Sequence, residues 1–116
     1  APLALALAAT DPANPYGAAL PWPDRGDEGA RPGRKAGALV VLVDGALALF
    51  VERGGRTLLT FTDAPDVALT ALANAAPGLG GLTVEKVDGA PALTSPLAGA
   101  LATAGFARTP KGLRAR

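Results

Sequence analysis

The sequence predicts an α+β fold: a curved antiparallel sheet or partly open β-barrel, made of a three-stranded meander plus further strands, with two packed helices. Three observations carry this. Apolar runs at residues 38–43, 46–53 and 56–61 are separated only by Asp44-Gly45 and Gly54-Gly55. Those dipeptides accept positive φ and join antiparallel strands through two-residue hairpins. The runs are also apolar on both faces, which requires cover on both sides or a curled sheet. Finally, two helix-start signals, Asp63-Ala64-Pro65-Asp66 and Ser95-Pro96, precede stretches with apolar residues three and four apart.

Taken in order, residues 1–34 read as an extended Pro/Gly-rich linker and loop, and residues 35–116 as a single α+β, β-barrel-like domain. The stretch DPANPYGAALPWP (residues 11–23) holds four prolines, which block helix and ladder pairing. Tyr16, Leu20 and Trp22 are its expected surface anchors. The charged Gly/Pro-rich residues 24–33 read as a loop.

In the meander, one face carries Val40, Leu42, Leu47, Leu49, Val51 and Leu58. The other carries Leu39, Val41, Val43, Phe50, Leu59 and Phe61. Tight turns set Val43 opposite Ala46 and Arg53 opposite Arg56. Counting back, Lys35 and Ala36 arrive beside Arg53 and Gly54. Arg34, Lys35, Arg53 and Arg56 thus share one end of the sheet, with Asp44 and Asp63 at the other.

The first helix is expected to use Asp63 as N-cap, with Pro65 and Asp66 in its first turn. Ala68, Leu69, Leu72 and Ala75 form its sheet-facing side, and Asp66, Thr70 and Asn74 its wet side. Residues 82–87 alternate as a fourth strand ending at Asp88-Gly89. Ser95 caps a second helix with Pro96 at its first position, and Leu97, Ala100, Leu101 and Ala104 form its stripe. Gly105 suits a left-handed cap. Residues 106–108 form a short strand, and residues 113–116 leave in extended form.

Composition excludes several functions. With no Cys and no His among 116 residues, thiol nucleophiles, imidazole bases, disulfides and nearly all zinc patterns are absent. Net charge is +1, so any nucleic-acid contact must come from local clustering. The opening APLALALAAT lacks a basic leader and is too short to span a membrane, as is every other apolar run; no membrane partner is expected. The sequence contains no Met, which suggests a processed product or a piece of a longer protein.

Two basic clusters stand out. Arg53 and Arg56, as a cross-strand like-charge pair with Arg34 and Lys35 nearby, call for compensation. A phosphate gripped by the guanidinium forks would supply it; so would water, with Glu52 as local counterion. The tail FARTPKGLRAR adds Arg108, Lys111, Arg114 and Arg116, either as further contacts or as a solubilising end. Catalytic candidates are few. Ser95 is taken as a cap, and Asp44 and Asp88 serve turns. Asp11 is left as the one carboxylate without a visible turn or cap role. No GxxxxGK[ST] loop or DExH-type box occurs, so the chain by itself is no ATPase.

The strings DPANPYGAALPWP, RPGRKAGALVVLVDGALALFVERGGRTLLTF, LTVEKVDG and SPLAGALATAGFARTPKGLRAR, in that order, resemble the extreme C-terminal region of the bacterial large helicase-related (Lhr) family. They cover nearly the whole chain. The resemblance implies a terminal β-rich module of a cytoplasmic, ATP-dependent DNA helicase linked to DNA repair. It implies ATP and Mg in a distant motor domain and no cofactor in this chain. It also implies preceding winged-helix modules and DNA as partners, and in some members a uracil-DNA glycosylase activity. The module would contact DNA backbone or position its neighbours. The alternatives are an interdomain-packing or oligomerisation module without DNA contact, and part of a glycosylase-like site.

Overall fold

A computed structural model describes residues 3–23 and 31–116. The expected loop at residues 24–30 lies outside the described residues. The α+β class holds. A six-stranded sheet runs in the order β1 (Ala4–Ala8), β2 (Leu39–Val43), β3 (Ala46–Val51), β4 (Thr57–Thr60), β6 (Lys86–Val87), β7 (Ala90–Pro91). A three-stranded sheet orders β5 (Leu82–Val84), β9 (Leu113–Ala115) and β8 (Ala107–Arg108). Helices α1 (Asp66–Ala75) and α2 (Ala98–Ala104) complete the fold. The large sheet is open, with β1 and β7 at its ends, so no barrel closes.

The two Asp-Gly hairpins form as expected. Asp44 and Gly45 have φ of 51° and 86°, and Asp88 and Gly89 have 50° and 87°. Positive φ at both central positions is the turn that matches strand twist. Val43 pairs with Ala46. One step later the register shifts: Leu42 pairs with Leu47, but Val41 pairs with Leu49. Ala48 is the extra residue of a β-bulge. The bulge moves Leu49 and Val51 onto the face of Leu39, Val41 and Leu58, and Phe50 and Leu59 onto that of Val40, Leu42 and Leu47. The expected face lists are corrected accordingly.

The sheet divides two apolar clusters. On one side Leu49, Val51 and Leu58 meet Leu69 and Leu72 of α1, Leu101 of α2 and Leu113 of β9. On the other, Val40, Leu42, Leu47, Phe50 and Leu59 are covered by Tyr16 and Trp22. Trp22 meets Phe50 edge-on (5.6 Å, 78°) and stacks on Tyr16 (6.1 Å, 28°). Leu20 remains exposed.

The segment before residue 35 therefore does more than an extended linker would. Ala4–Ala8 pairs antiparallel with β2, and the Pro-rich stretch lids the second cluster. Asn14, only 1% exposed, ties that lid. It donates to the Ala9 carbonyl (2.9 Å) and accepts from the Tyr16 N–H (3.1 Å). The Tyr16 hydroxyl accepts from the Leu47 N–H (3.1 Å) at the bulge. Asp11 is not idle either: its Oδ1 accepts from the Ala13 N–H (2.8 Å), a local Asx turn.

Further expectations change. The predicted fourth strand is two strands. Its halves belong to different sheets, because the Glu85 and Lys86 N–H groups both turn to the Arg56 carbonyl (3.0 and 2.9 Å). The large sheet is mixed, since β4 and β6 run parallel once α1 has carried the chain across. Asp63 does not cap α1; the flanking residue is Pro65, with no side-chain cap. The wet face of Asp66, Thr70 and Asn74 is exposed as expected. Ser95 and Pro96 stand ahead of α2 and do not open it: the flanking residue is Leu97, with no side-chain cap, and Ser95 accepts from the Leu97 N–H (3.1 Å) in the turn before the helix. Behind that helix, Gly105 (φ 123°) lets the Phe106 N–H reach the Leu101 carbonyl (2.9 Å). The residues after 112, expected as an extended end, form the central strand of the small sheet.

The close packing of this sheet and of the lid can be tested by substitution. A Cβ at Gly112 would sit 2.0 Å from the Val84 carbonyl oxygen, so Gly112→Ala should cost about 1–3 kcal/mol or more through overpacking. The measurement is the urea midpoint by far-UV circular dichroism. Arg34 bridges the lid by donating to the carbonyls of Asn14 (2.9 Å), Tyr16 (3.0 Å) and Asp11 (3.2 Å). Arg34→Lys keeps the charge but loses the fork, at a cost of about 1–2 kcal/mol. Trp22 fluorescence should then change before the far-UV signal during denaturation.

Candidate nucleic-acid interface

The connection between β3 and β4 is wider than a Gly-Gly hairpin. The last ladder pair is Val51 with Leu58, and the Glu52 N–H reaches the Thr57 carbonyl at 2.9 Å. Arg53, Gly54, Gly55 and Arg56 form the loop. Arg53 and Arg56 are therefore loop residues and not a cross-strand pair, which corrects the expected facing. Gly54 and Gly55 do use left-handed φ (77° and 88°). The physical reason for the widening is Gly55. It is buried against β5, where a Cβ would lie 3.1 Å from both the Leu82 Cβ and the Thr83 nitrogen.

The strand before β2 does reach this end. A Cβ on Gly37 would stand 2.7 Å from the Arg53 Cγ, so the Arg53 stem lies across a bare backbone. Lys35 Nζ pairs with Glu52 Oε1 at 2.9 Å. It also donates to the Arg31 carbonyl (3.2 Å) and stands 5.8 Å from the Phe50 ring centre. Lys35 and Glu52 thus neutralise one another. Arg34 is committed to the lid carbonyls. Arg56 has Glu85 at 4.0 Å, with both side chains exposed, a pairing that contributes little in water. Arg53 has no carboxylate within ion-pair distance among the described residues. A shallow depression of about 540 Å³ lies at this loop, lined by Glu52, Arg53, Gly54 and Arg56.

The tail cations separate. Arg114 lies on the central strand of the small sheet, opposite Thr83 on β5 and Ala107 on β8. Its Nη1 donates to the Thr83 Oγ1 at 2.9 Å, and its fork lies over Gly81, where a Cβ would meet Nη2 at 2.7 Å. Arg108 is exposed and donates to the Leu93 carbonyl (3.3 Å). Lys111 and Arg116 are exposed, in the β8–β9 turn and at the last position.

The two basic clusters of the sequence are therefore linked. Gly55 touches Thr83, and Thr83 holds Arg114, so the Arg53–Arg56 loop and the small sheet adjoin through β5. Sequence reasoning missed Thr83, which reads as an ordinary alternating strand residue, and Lys86, exposed next to Glu85. A second cleft, of about 320 Å³, lies among Thr60, Thr62, Asp63, Asp88 and Ser95. There Asp88 already accepts from the Thr60 N–H (2.8 Å) and hydroxyl (2.6 Å). Among the described residues no cluster of acidic side chains can hold a metal ion, and no helix is long and apolar enough to cross a membrane.

No family model matches the chain. Two curated relatives do. The "Lhr helicase/ probable uracil glycosylase" of Mycolicibacterium smegmatis is 51% identical over 125 residues, covering 97% of this chain. The "Lhr helicase/uracil glycosylase" of Escherichia coli K12 is 39% identical over 116 residues, covering 94% of it. The chain spans only 8% and 7% of those proteins' own lengths. Matched over nearly its whole length, the chain belongs to the Lhr helicase family and corresponds to a short β-rich segment of those much longer proteins.

Proposed function

We propose that this segment is an accessory, C-terminal module of a cytoplasmic ATP-dependent DNA helicase of DNA repair, and that it contacts DNA through backbone phosphates. The observation that carries this is the adjacency of the Arg53–Arg56 loop and Arg114 through Gly55 and Thr83. Arg53 and Arg56 lie on one loop with little internal neutralisation, and Arg114 is held in place by Thr83. Guanidinium forks suit phosphate oxygens without reading bases. The relatives are named for both a helicase and a uracil glycosylase. The motor, with its ATP and Mg, belongs elsewhere in the longer protein, because no nucleotide-binding loop occurs here.

A second observation favours positioning of neighbours. Among the described residues strand β1 pairs on one side only, and Leu3 and Leu5 are 71% and 48% exposed. An uncharged apolar edge invites cover, which the preceding winged-helix modules of the same polypeptide would supply. The two roles are compatible, because the basic loop and the open edge occupy different parts of the surface.

Salt dependence tests DNA contact. Every phosphate that is no longer gripped should lower the magnitude of the log–log salt slope by about 0.7–0.9. Arg53→Ala with Arg56→Ala should weaken duplex and single-strand binding without sequence preference and flatten that slope. Asp44→Asn, at the other end of the meander, should leave both unchanged. Fluorescence anisotropy at several salt concentrations measures this. A double variant with wild-type affinity and slope would leave the packing role alone.

A further inference from the structure

We infer that the depression at the Arg53–Arg56 loop takes a terminal phosphate monoester, the phosphorylated end of a DNA strand; this rests on the DNA-contact reading above and narrows it. Three features point to that ligand. The first is charge. Glu52, which lines the depression, is neutralised by Lys35 at 2.9 Å. Glu85 stands 4.0 Å from Arg56 and exposed to water. Two guanidinium charges thus remain for a ligand. A phosphodiester carries one negative charge, whereas a monoester carries about 1.5 to 2 at neutral pH. The second is donor count. Each guanidinium can offer a bidentate fork. Two forks offer four N–H donors, to which a monoester presents three free oxygens where a diester presents two.

The third feature is access. Between the two arginines, nothing lies within 4 Å of the position a Gly54 Cβ would take. A ligand can therefore approach the backbone there. Among the described residues the lining is Glu52, Arg53, Gly54 and Arg56. No aromatic face is present to stack a base, because Tyr16, Trp22 and Phe50 are spent on one another. Recognition at this point is of an oxyanion and not of a nucleobase. Arg114, adjoining through Thr83, is placed to meet the next phosphate along the strand.

The test uses this 116-residue chain and one single-stranded oligonucleotide, labelled at an internal base. Its ends carry a 5′-phosphate, a 3′-phosphate or hydroxyls only. Anisotropy at low salt should show about tenfold tighter binding for a phosphorylated end than for hydroxyl ends. The advantage should fall to within about twofold in Arg53→Ala and in Arg56→Ala, with circular dichroism confirming the fold. It should also shrink as pH falls from about 7.5 to about 5.5, because the monoester loses its second charge near pH 6. Inorganic phosphate, added as competitor, separates a strand end from a free anion. Weak competition supports the strand end, and competition equal to the phosphorylated oligonucleotide overturns it. Equal affinity for all three ends, or a preference that survives both substitutions, overturns the inference while DNA contact stands. Absence of binding to any of them overturns both.

Discussion

Burial of a sheet on both faces is the constraint on which the rest of the structure depends. Strands β2 and β3 carry no polar side chain, so neither face can be left to water. Each buried Leu, Val or Phe contributes about 1.5–3 kcal/mol when covered. One face is covered by α1, α2 and the small sheet. No helix is left for the other. The Pro-rich stretch takes its place, held by Tyr16, Trp22 and the buried amide of Asn14. A loop can act as a lid only if its own carbonyls find donors. The Arg34 fork supplies them for Asp11, Asn14 and Tyr16. That side chain, one of the cations a charge count would offer to DNA, is therefore better understood as part of the fold.

The legible parts of the sequence were those with a single local cause. Asp-Gly dipeptides require positive φ at two successive positions, and both hairpins formed where they stood. Gly105 marked the end of α2 by its own hydrogen bonds, whereas Ser95-Pro96 signalled the start two residues early. The β-bulge at Ala48 was not legible. Apolar residues on both faces mean that a one-residue slip changes no polarity, so alternation cannot report it. The Gly54-Gly55 turn misled for a related reason. Its dihedral preferences were right, but its width is set by a tertiary contact with β5 that no local signal contains. Residues 82–87 held a clue: Leu82, Val84 and Val87 are buried at spacings of two and then three, which marks a change of sheet between Val84 and Lys86.

The candidate site was partly visible for the same reasons. Counting register back from the hairpins brought Lys35 and Ala36 to the Arg53 loop; the right end of the sheet is reached, but the bulge shifts the ladder by one residue, so that Gly37 lies against Arg53. What register cannot say is which cations are already paired. Lys35 is spent on Glu52, and Arg34 on three carbonyls, whereas Arg53 and Arg56 are spent on little. Nor could it join the tail to the meander. Sequence separation between Gly55 and Arg114 is large, and they adjoin only because β9 inserts between β5 and β8.

That insertion has a mechanical consequence. Gly55 is packed against the backbone of β5, and β5 is paired with β9, so the loop bearing Arg53 and Arg56 is braced against the strand bearing Arg114. Long cationic side chains on free loops lose rotamer freedom when they bind, at about 0.5–1.5 kcal/mol each. Here part of that ordering exists before any ligand arrives: the Arg53 stem lies across Gly37, and the Arg114 fork is set by Thr83 over Gly81. Glycine suits each arrangement, because Gly37, Gly55 and Gly81 all have positive φ and a Cβ there would crowd Arg53, the β5 backbone or the Arg114 fork. The glycines of this chain thus serve more than turns. They let backbone and side chain approach closely, so that the Arg53 stem and the Arg114 fork rest on bare backbone.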